Sequence, residues 1–272
     1  MKYSIGEFAS IVGVSPDTLR LYEKHDIIRP IKNNQNNYRF FNDLDARDLL
    51  MSRWYRSMQI PLYEVASLMK EASSDEIVDK VNEAQQLLEA EIQRSAMLLN
   101  KMKEIHEELG QIRGSMYQCQ IRQLPGRYRI KQTYKNDLLK QEELKYVVQD
   151  WMEKLPYTYY SFRMENKDQT IGYDVMDYSW GLTLLEEDSL RLNVAMNDSV
   201  EYLPPETCVS AVIVRSQEEY ISSESFRFML DYIEEHGYSI VGDITGKILL
   251  NEKLGEHSRT YLEIYIPIRA IK

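Results

Sequence analysis

The sequence predicts an α+β protein of several domains: an N-terminal winged helix-turn-helix, a long dimerising coiled-coil helix and a C-terminal α+β domain. Three observations lead there. Between residues 4 and 41, two short capped helical runs flank a Gly and lead into a basic-aromatic extended segment. From Ser73 to about Leu109 the chain has neither Gly nor Pro and repeats apolar residues at steps of four and three. From Tyr117 onward, alternation of period two dominates.

The first segment is defined by its ends. Ser4 with Glu7 three residues on forms a capping box, satisfying amides that a helix start leaves unpaired. Ile5, Phe8, Ala9 and Val12 then share one helical face, and Gly13 suits the left-handed residue that closes such a helix. Ser15 caps a second helix, with Pro16 at the position where a missing N–H costs nothing. Leu19 and Tyr22 face inward there, leaving Thr18, Arg20 and Lys24 on another face. Asn33 to Asn37 is a turn-forming run ahead of extended Tyr38-Arg39-Phe40-Phe41. Two helices around a Gly turn, followed by a wing, commonly place a helix in a DNA major groove.

The order Ser4-Ile5-Gly6-Glu7, Val14-Ser15-Pro16 through Thr18-Leu19-Arg20 to Tyr22-Glu23, then Tyr38-Arg39-Phe40-Phe41, resembles the MerR family of transcription regulators. The likeness continues through Asp43-Leu44-Asp45 and Arg53-Trp54-Tyr55-Arg56 to Pro61-Leu62-Tyr63-Glu64-Val65. It departs at Leu21, where the family has a second aromatic, at Asp26, near a family Gly, and at Asn37, which tolerates the positive φ of the Gly it replaces. The candidate DNA contacts are Ser15, Thr18, Arg20, Tyr22, Lys24, Tyr38, Arg39 and Arg56. Arg20, Arg39 and Arg56 suit phosphates and Thr18 a base edge, while Tyr22 and Phe40 read equally as packing residues.

A net charge of −10 is unexpected for a DNA binder until it is divided. Residues 1–70 hold ten Lys/Arg and eight Asp/Glu, a balance of +2; the remainder holds 23 and 35, a balance of −12. The acidic excess lies outside the DNA module, so a local basic footprint sits on an acidic body. The sequence starts directly with structure and has no long apolar run, so neither a leader nor a membrane span is expected, and the cytoplasm is the expected compartment. Two cysteines, Cys119 and Cys208, make neither a disulfide framework nor a Cys-rich zinc site. No cofactor is implied.

Ile77, Val81, Ala84, Leu88, Glu91, Ser95, Leu98, Met102, Ile105, Leu109 and Ile112 trace a heptad seam, interrupted at Glu91 and Ser95, where Leu87, Ile92 and Leu99 offer a neighbouring stripe. A helix of roughly 50 Å needs either a partner helix from a second copy or its own C-terminal domain to cover that stripe. The predicted domains are 1–72 for DNA binding, 73–112 for the coiled coil and 117–272 for the effector. Gly110 and Gly114 mark the boundary.

In the second half, strands are predicted at Tyr117–Ile121, Tyr128–Tyr134, Tyr157–Phe162, Leu190–Ala195, Val209–Arg215, Ser239–Leu250 and Tyr261–Ile266, with helices at Leu138–Leu155 and Ser222–His236. Leu203-Pro204-Pro205-Glu206, the helix bearing Phe226, Met229, Leu230, Tyr232 and Ile233, and terminal Tyr261 to Ile268 resemble the GyrI-like effector-binding domain of multidrug-responsive MerR regulators. In some relatives a Glu lies near Gly246 and Lys247, where this chain has no acid. Glu263 is the alternative. On a strand it shares a face with Tyr261 and Tyr265, as Tyr157 does with Tyr159. A carboxylate among phenol rings suits a lipophilic cation, each ring offering roughly 0.5–2 kcal/mol. Trp151, Tyr173 and Trp180 could complete such a cage. The same alternation equally describes the wet face of an edge strand, and the Trp residues read equally as core.

The family resemblance implies a regulator, not an enzyme. A dimer would distort double-stranded promoter DNA for RNA polymerase in response to a hydrophobic or cationic small molecule. A metal-sensing member would need thiolates where Cys119 stands alone among scattered histidines. A GyrI-like hydrolase would use Glu263 as general base beside a Tyr. A purely structural coiled coil leaves the DNA module without a task.

Overall fold

The computed structural model describes residues 2–32, 38–135, 137–140, 142–166, 177–216, 223–255 and 257–271. The chain forms two compact units, Met1–Leu98 and Leu99–Lys272.

The first unit runs β1 (Tyr3–Ser4), α1 (Ile5–Val12), α2 (Pro16–Lys24), β2 (Ile31–Lys32), β3 (Arg39–Phe41), α3 (Asp43–Ser57), α4 (Leu62–Glu71) and the start of α5 (Ser74–Ser115). The Ser4–Glu7 capping box forms, and Gly13 ends α1 at φ 69°. Ser15 caps α2, its Oγ accepting from the Thr18 N–H at 3.1 Å. The strands pair in the order β1-β3-β2; the Asn33–Asn37 turn lies outside the described residues. Phe8, Leu19, Tyr22, Ile28, Phe41 and Leu49 form the core, with the Phe8 and Phe41 rings stacked at 4.8 Å.

Asp45 ties this unit together. It closes a second capping box, accepting from the Asn42 N–H at 2.9 Å, and its other oxygen accepts from the Arg29 N–H at 3.1 Å. Arg29 lies just before β2 and Asn42 just after β3, so one buried carboxylate holds both ends of the wing. Asp26, near the position of a family Gly, has φ 60°, the left-handed conformation a Gly would adopt freely. Arg29 grips its carboxylate with two bonds and Lys70 of α4 pairs with it at 2.9 Å. These partners hold the Asp26 pKa down at about 2.

Helix α5 runs through Gly110 and Gly114 to Ser115 instead of stopping near Leu109. Ile77 and Ala84 pack beside Tyr55, Ile60 and Val65, whereas Leu87, Leu88, Ile92, Leu98, Leu99 and Met102 are exposed in the single chain.

The second unit continues with β4 (Gln120–Leu124), β5 (Arg127–Lys131), β6 (Thr133–Tyr134), β7 (Asp137–Leu138), α6 (Lys145–Glu153), β8 (Thr158–Met164), β9 (Tyr178–Leu185), α7 (Glu186–Leu192), β10 (Glu201–Leu203), β11 (Glu206–Ser216), α8 (Arg227–Glu235), β12 (Tyr238–Ile240), β13 (Ile244–Leu254) and β14 (His257–Ala270). The main sheet runs β10-β5-β9-β8-β13-β14-β11-β4, with β12 added to β14. Neighbouring strands pair antiparallel. One face packs Ile264, Ile266, Phe162 and Val209 against Phe226, Met229 and Ile233 at and along α8.

Several predicted elements are corrected. The first half of the expected strand Leu190–Ala195 falls in α7, which starts on Glu186, Glu187 and Asp188 and is capped by left-handed Asn193. Acids favour a helix start, and the apolar spacing at Leu190 and Leu192 misled. Strand β9 was not anticipated because Gly181 interrupts its pattern, yet Gly is required there: a Cβ would lie 2.0 Å from the Ile130 carbonyl oxygen of β5. The predicted strand Ser239–Leu250 breaks between Ile240 and Ile244, where Asp243 pairs with Arg163 at 2.5 Å. The first strand of this unit lies at Gln120–Leu124 rather than Tyr117–Ile121. Helix α6 is shorter than Leu138–Leu155, and α8 follows a 3-10 turn.

Candidate functional site

In the first unit the solvent face of α2 carries Arg20 and Lys24, both exposed. Arg20 pairs with Asp17 one turn earlier. Ser15 and Thr18 share a 2.9 Å hydroxyl contact within the helix cap, so both are partly committed to local structure. Tyr38 is exposed at the wing and packs tilted against Phe40. Arg39 donates to Glu23 at 2.6 Å, and Lys32 joins the same carboxylate. Burial pushes the Glu23 pKa up, but these two cations outweigh it and leave the group below its usual value. Arg56 donates to the Ile60 carbonyl at 2.7 Å, which braces the α3–α4 turn. Tyr22 is the correction: only 7% of its surface is exposed and it packs in the core, leaving no open face for a groove. Leu21, by contrast, is 45% exposed beside Arg20.

In the second unit, strand register sorts the sheet into two faces. Glu263 lies opposite Lys247 on one side and Val212 on the other. Tyr159, Ser161, Thr245, Tyr261 and Tyr265 share its face, as do Arg122, Arg127 and Arg129 across successive pairings. β14 is an inner strand and Glu263 is 4% exposed, so the wet-edge alternative does not apply. Glu263 is nonetheless fully engaged: Arg122 pairs with it at 3.0 Å and the Tyr265 hydroxyl donates to it at 2.7 Å.

A cavity of about 380 Å³ opens on this face beside α5. Tyr159, Tyr265, Arg127, Lys247, Lys101 and Glu108 contribute to its wall. Arg127 donates to Glu206 at 2.5 Å and to Thr245 at 3.3 Å. The Lys247 ammonium pairs with Glu108 and stands 5.1 Å above the Tyr159 ring. Burial pushes the Tyr159 pKa up to about 12 and that of Tyr265 well above its ordinary value, so both phenols stay neutral donors.

The expected cage assembles only in part. Tyr159 and Tyr265 reach the cavity, and Glu263 lines an adjoining one with Arg122. Tyr157 is buried with Lys101 over its ring at 6.0 Å, and Tyr261 donates to Glu252. Trp180 points to the opposite face, stacked on Tyr160 and edge-on to Phe162. Trp151 is wholly buried, its indole donating to the Ala195 carbonyl at 3.0 Å, and is core. Tyr173 lies outside the described residues. The basic residues Arg122, Arg127 and Lys247 join Glu263 on one face only through strand register, which alternation within a single strand does not report. Cys208 is buried, which raises its pKa to about 12 and makes it inert. Among the described residues no group of three or more His, Cys, Asp or Glu is placed to hold a metal ion, and no helix is long and apolar enough to cross a membrane.

Comparison with known proteins matches residues 4–41 to the family model described as MerR family regulatory protein. The HTH-type transcriptional activator TipA of Streptomyces coelicolor is 32% identical over 75 residues, 28% of this chain and 30% of TipA. The ZntR homolog of Haemophilus influenzae, an HTH-type transcriptional regulator, is 26% identical over 110 residues, 40% of this chain and 79% of its own. This chain thus spans under a third of the length of TipA. Among solved structures, EcmrR in its DNA complex aligns over 99% of this chain and all of its own at 15% identity and a TM-score of 0.39. The matched segment is the capped α1, the Gly13 turn, α2 and the β2–β3 wing, and over it the chain is similar to the N-terminal domain of MerR family regulators.

Proposed function

We propose that the chain is a ligand-responsive transcription regulator, an activator and not an enzyme, that works as a homodimer in the cytoplasm. The observation that carries this reading is the coincidence of the family match at residues 4–41 with a capped α1–Gly13–α2 pair and its wing. Arg20 and Lys24 on α2, with Tyr38 and Arg39 on the wing, supply the DNA contacts. The exposed apolar stripe of α5, from Leu87 to Met102, supplies the seam for a second copy, which places two α2 helices on two half-sites. The second unit is a GyrI-like effector domain whose cavity takes a hydrophobic small molecule. By likeness to the family, the bound dimer distorts promoter DNA for RNA polymerase, and the effector favours the distorted state through differential affinity.

The test is a mobility-shift titration on the DNA immediately upstream of the chain's own coding sequence. A discrete complex is expected. Arg20→Ala and Lys24→Ala should each weaken it and lower the salt slope by about one. Binding that is weak, diffuse and indifferent to both substitutions would overturn the reading.

A further inference from the structure

The effector cavity holds a cation of its own. The Lys247 ammonium sits over the Tyr159 ring and is paired with Glu108 of α5. The buried carboxylate that could have received a cationic ligand, Glu263, is occupied by Arg122 and by the Tyr265 hydroxyl. Lys101, Arg127 and Lys247 stand in the wall against Glu104 and Glu108. A cation could reach Glu263, in the adjoining cavity, only by displacing Arg122, and in this cavity it would meet Lys101, Arg127 and Lys247.

We infer that the effector is an anion, an aromatic or alicyclic acid whose carboxylate replaces that of Glu108 on Lys247. This rests on reading the cavity as the effector site. Glu108 is the replaceable partner for a geometric reason. Its side chain is 33% exposed, against 5% for Glu263. Arg127, the deepest of these cations, has its partner Glu206 supplied by the sheet itself, whereas Lys247 takes its partner from α5. Leu124, Pro125, Pro156 and Leu185 give the rest of the molecule an apolar wall. The neutral Tyr159 phenol offers a donor to a carboxylate, while the Tyr265 hydroxyl keeps its proton on Glu263. Glu108 is thus a tethered stand-in for the ligand's acid group. Exchanging it unpins this stretch of α5 from the sheet, which gives binding a direct mechanical output.

The experiment is calorimetric titration of the full-length chain with two probes of matched shape and opposite charge, 1-naphthoate and 1-naphthylmethylammonium. The wild type should prefer 1-naphthoate. Glu108→Gln removes the internal competitor and should tighten 1-naphthoate about tenfold if Glu108 holds Lys247 nine-tenths of the time. Lys247→Gln should abolish the preference. Preference for the ammonium probe would leave the cavity reading standing and overturn the anion assignment, as would a Glu108→Gln protein that binds 1-naphthoate no better than the parent. Failure of both probes to bind any of the three proteins would overturn the effector-site reading and the inference with it.

Discussion

Replacing Asp45 with Ala tests how the wing is held. The Asp45 carboxylate is 5% exposed and accepts from the Asn42 N–H at 2.9 Å and the Arg29 N–H at 3.1 Å. A hydrogen bond to a charged group contributes about 1.5–3 kcal/mol, and loss of a cap costs about 1 kcal/mol. The two bonds share one carboxylate and relax together, so the loss is placed at about 3 kcal/mol rather than at their sum. For a unit of this size each kcal/mol lowers Tm by about 4–8 °C. The melting transition of the first unit should therefore fall by more than about 10 °C. Asp45→Asn keeps one acceptor oxygen and should lose about half as much. Hydrogen exchange supplies the local readout: the Arg29 and Asn42 amides should become the most accelerated in the unit. DNA affinity should fall further than the lost folded fraction accounts for, because the wing is freed at both ends. If those two amides keep their protection and Tm moves by less than about 3 °C, the clamp does not exist as described.

Three further outcomes are expected. Gly246→Ala puts a Cβ 2.3 Å from the buried Phe162 ring and 2.5 Å from the Glu263 carbonyl oxygen; overpacking of this kind costs about 1–3 kcal/mol, and an unchanged Tm for the second unit would show that β8 and β13 can part freely. Asp26 has a depressed pKa of about 2 against 3.8, so its contribution is present above pH 3.8 and is lost as pH falls toward 2. Asp26→Asn, which tolerates the left-handed backbone, should therefore melt lower than the parent at pH 6, by a margin that shrinks as pH falls from 3.8 through about 2; a constant difference across that range would count against the Arg29 and Lys70 pairing as its cause. Ile92→Lys with Leu99→Lys places charge on side chains 59% and 54% exposed in the single chain. If they form the dimer seam, sedimentation should show the dimer dissociation constant rising at least about 100-fold, and an unchanged constant would remove them from it.

The parts of this fold that were legible in the sequence are those decided locally. Ser4 with Glu7, Gly13, and Ser15 with Pro16 each announce a helix end within four residues, and each end is where it was expected. The second half was harder because its polar face is buried. Arg127, Arg129 and Arg163 alternate with apolar residues as they would on a wet strand. They are covered instead because Glu206, Ser179 and Asp243 meet them from 79, 50 and 80 residues away in the chain. No local pattern reports a partner at that distance. Glu263 was found because two tyrosines flank it at strand spacing, but its pairing with Arg122 depends on β4, β11 and β14 lying side by side. For the same reason Tyr22 read as either packing or contact: helical spacing placed it on the Leu19 face, and only the assembled core closed over it.

Helix α5 ends on a soft joint. Gly110 and Gly114 both lie inside it, and a methyl group at either would meet nothing within 4 Å. Neither is needed for close approach, yet each weakens the helix by about 1 kcal/mol relative to Ala. One residue past the bridge from Met116 to Val212, the chain turns at Tyr117, which holds φ 56° and donates its N–H to the Val212 carbonyl at 2.9 Å. The last two turns of the helix are thus its most compliant, and they are welded at once to β11, an inner strand of the sheet. A shift in that strand is absorbed as local unwinding instead of being transmitted as a rigid push. Filling both sites with Ala would stiffen the joint without touching the cavity, the DNA face or the seam.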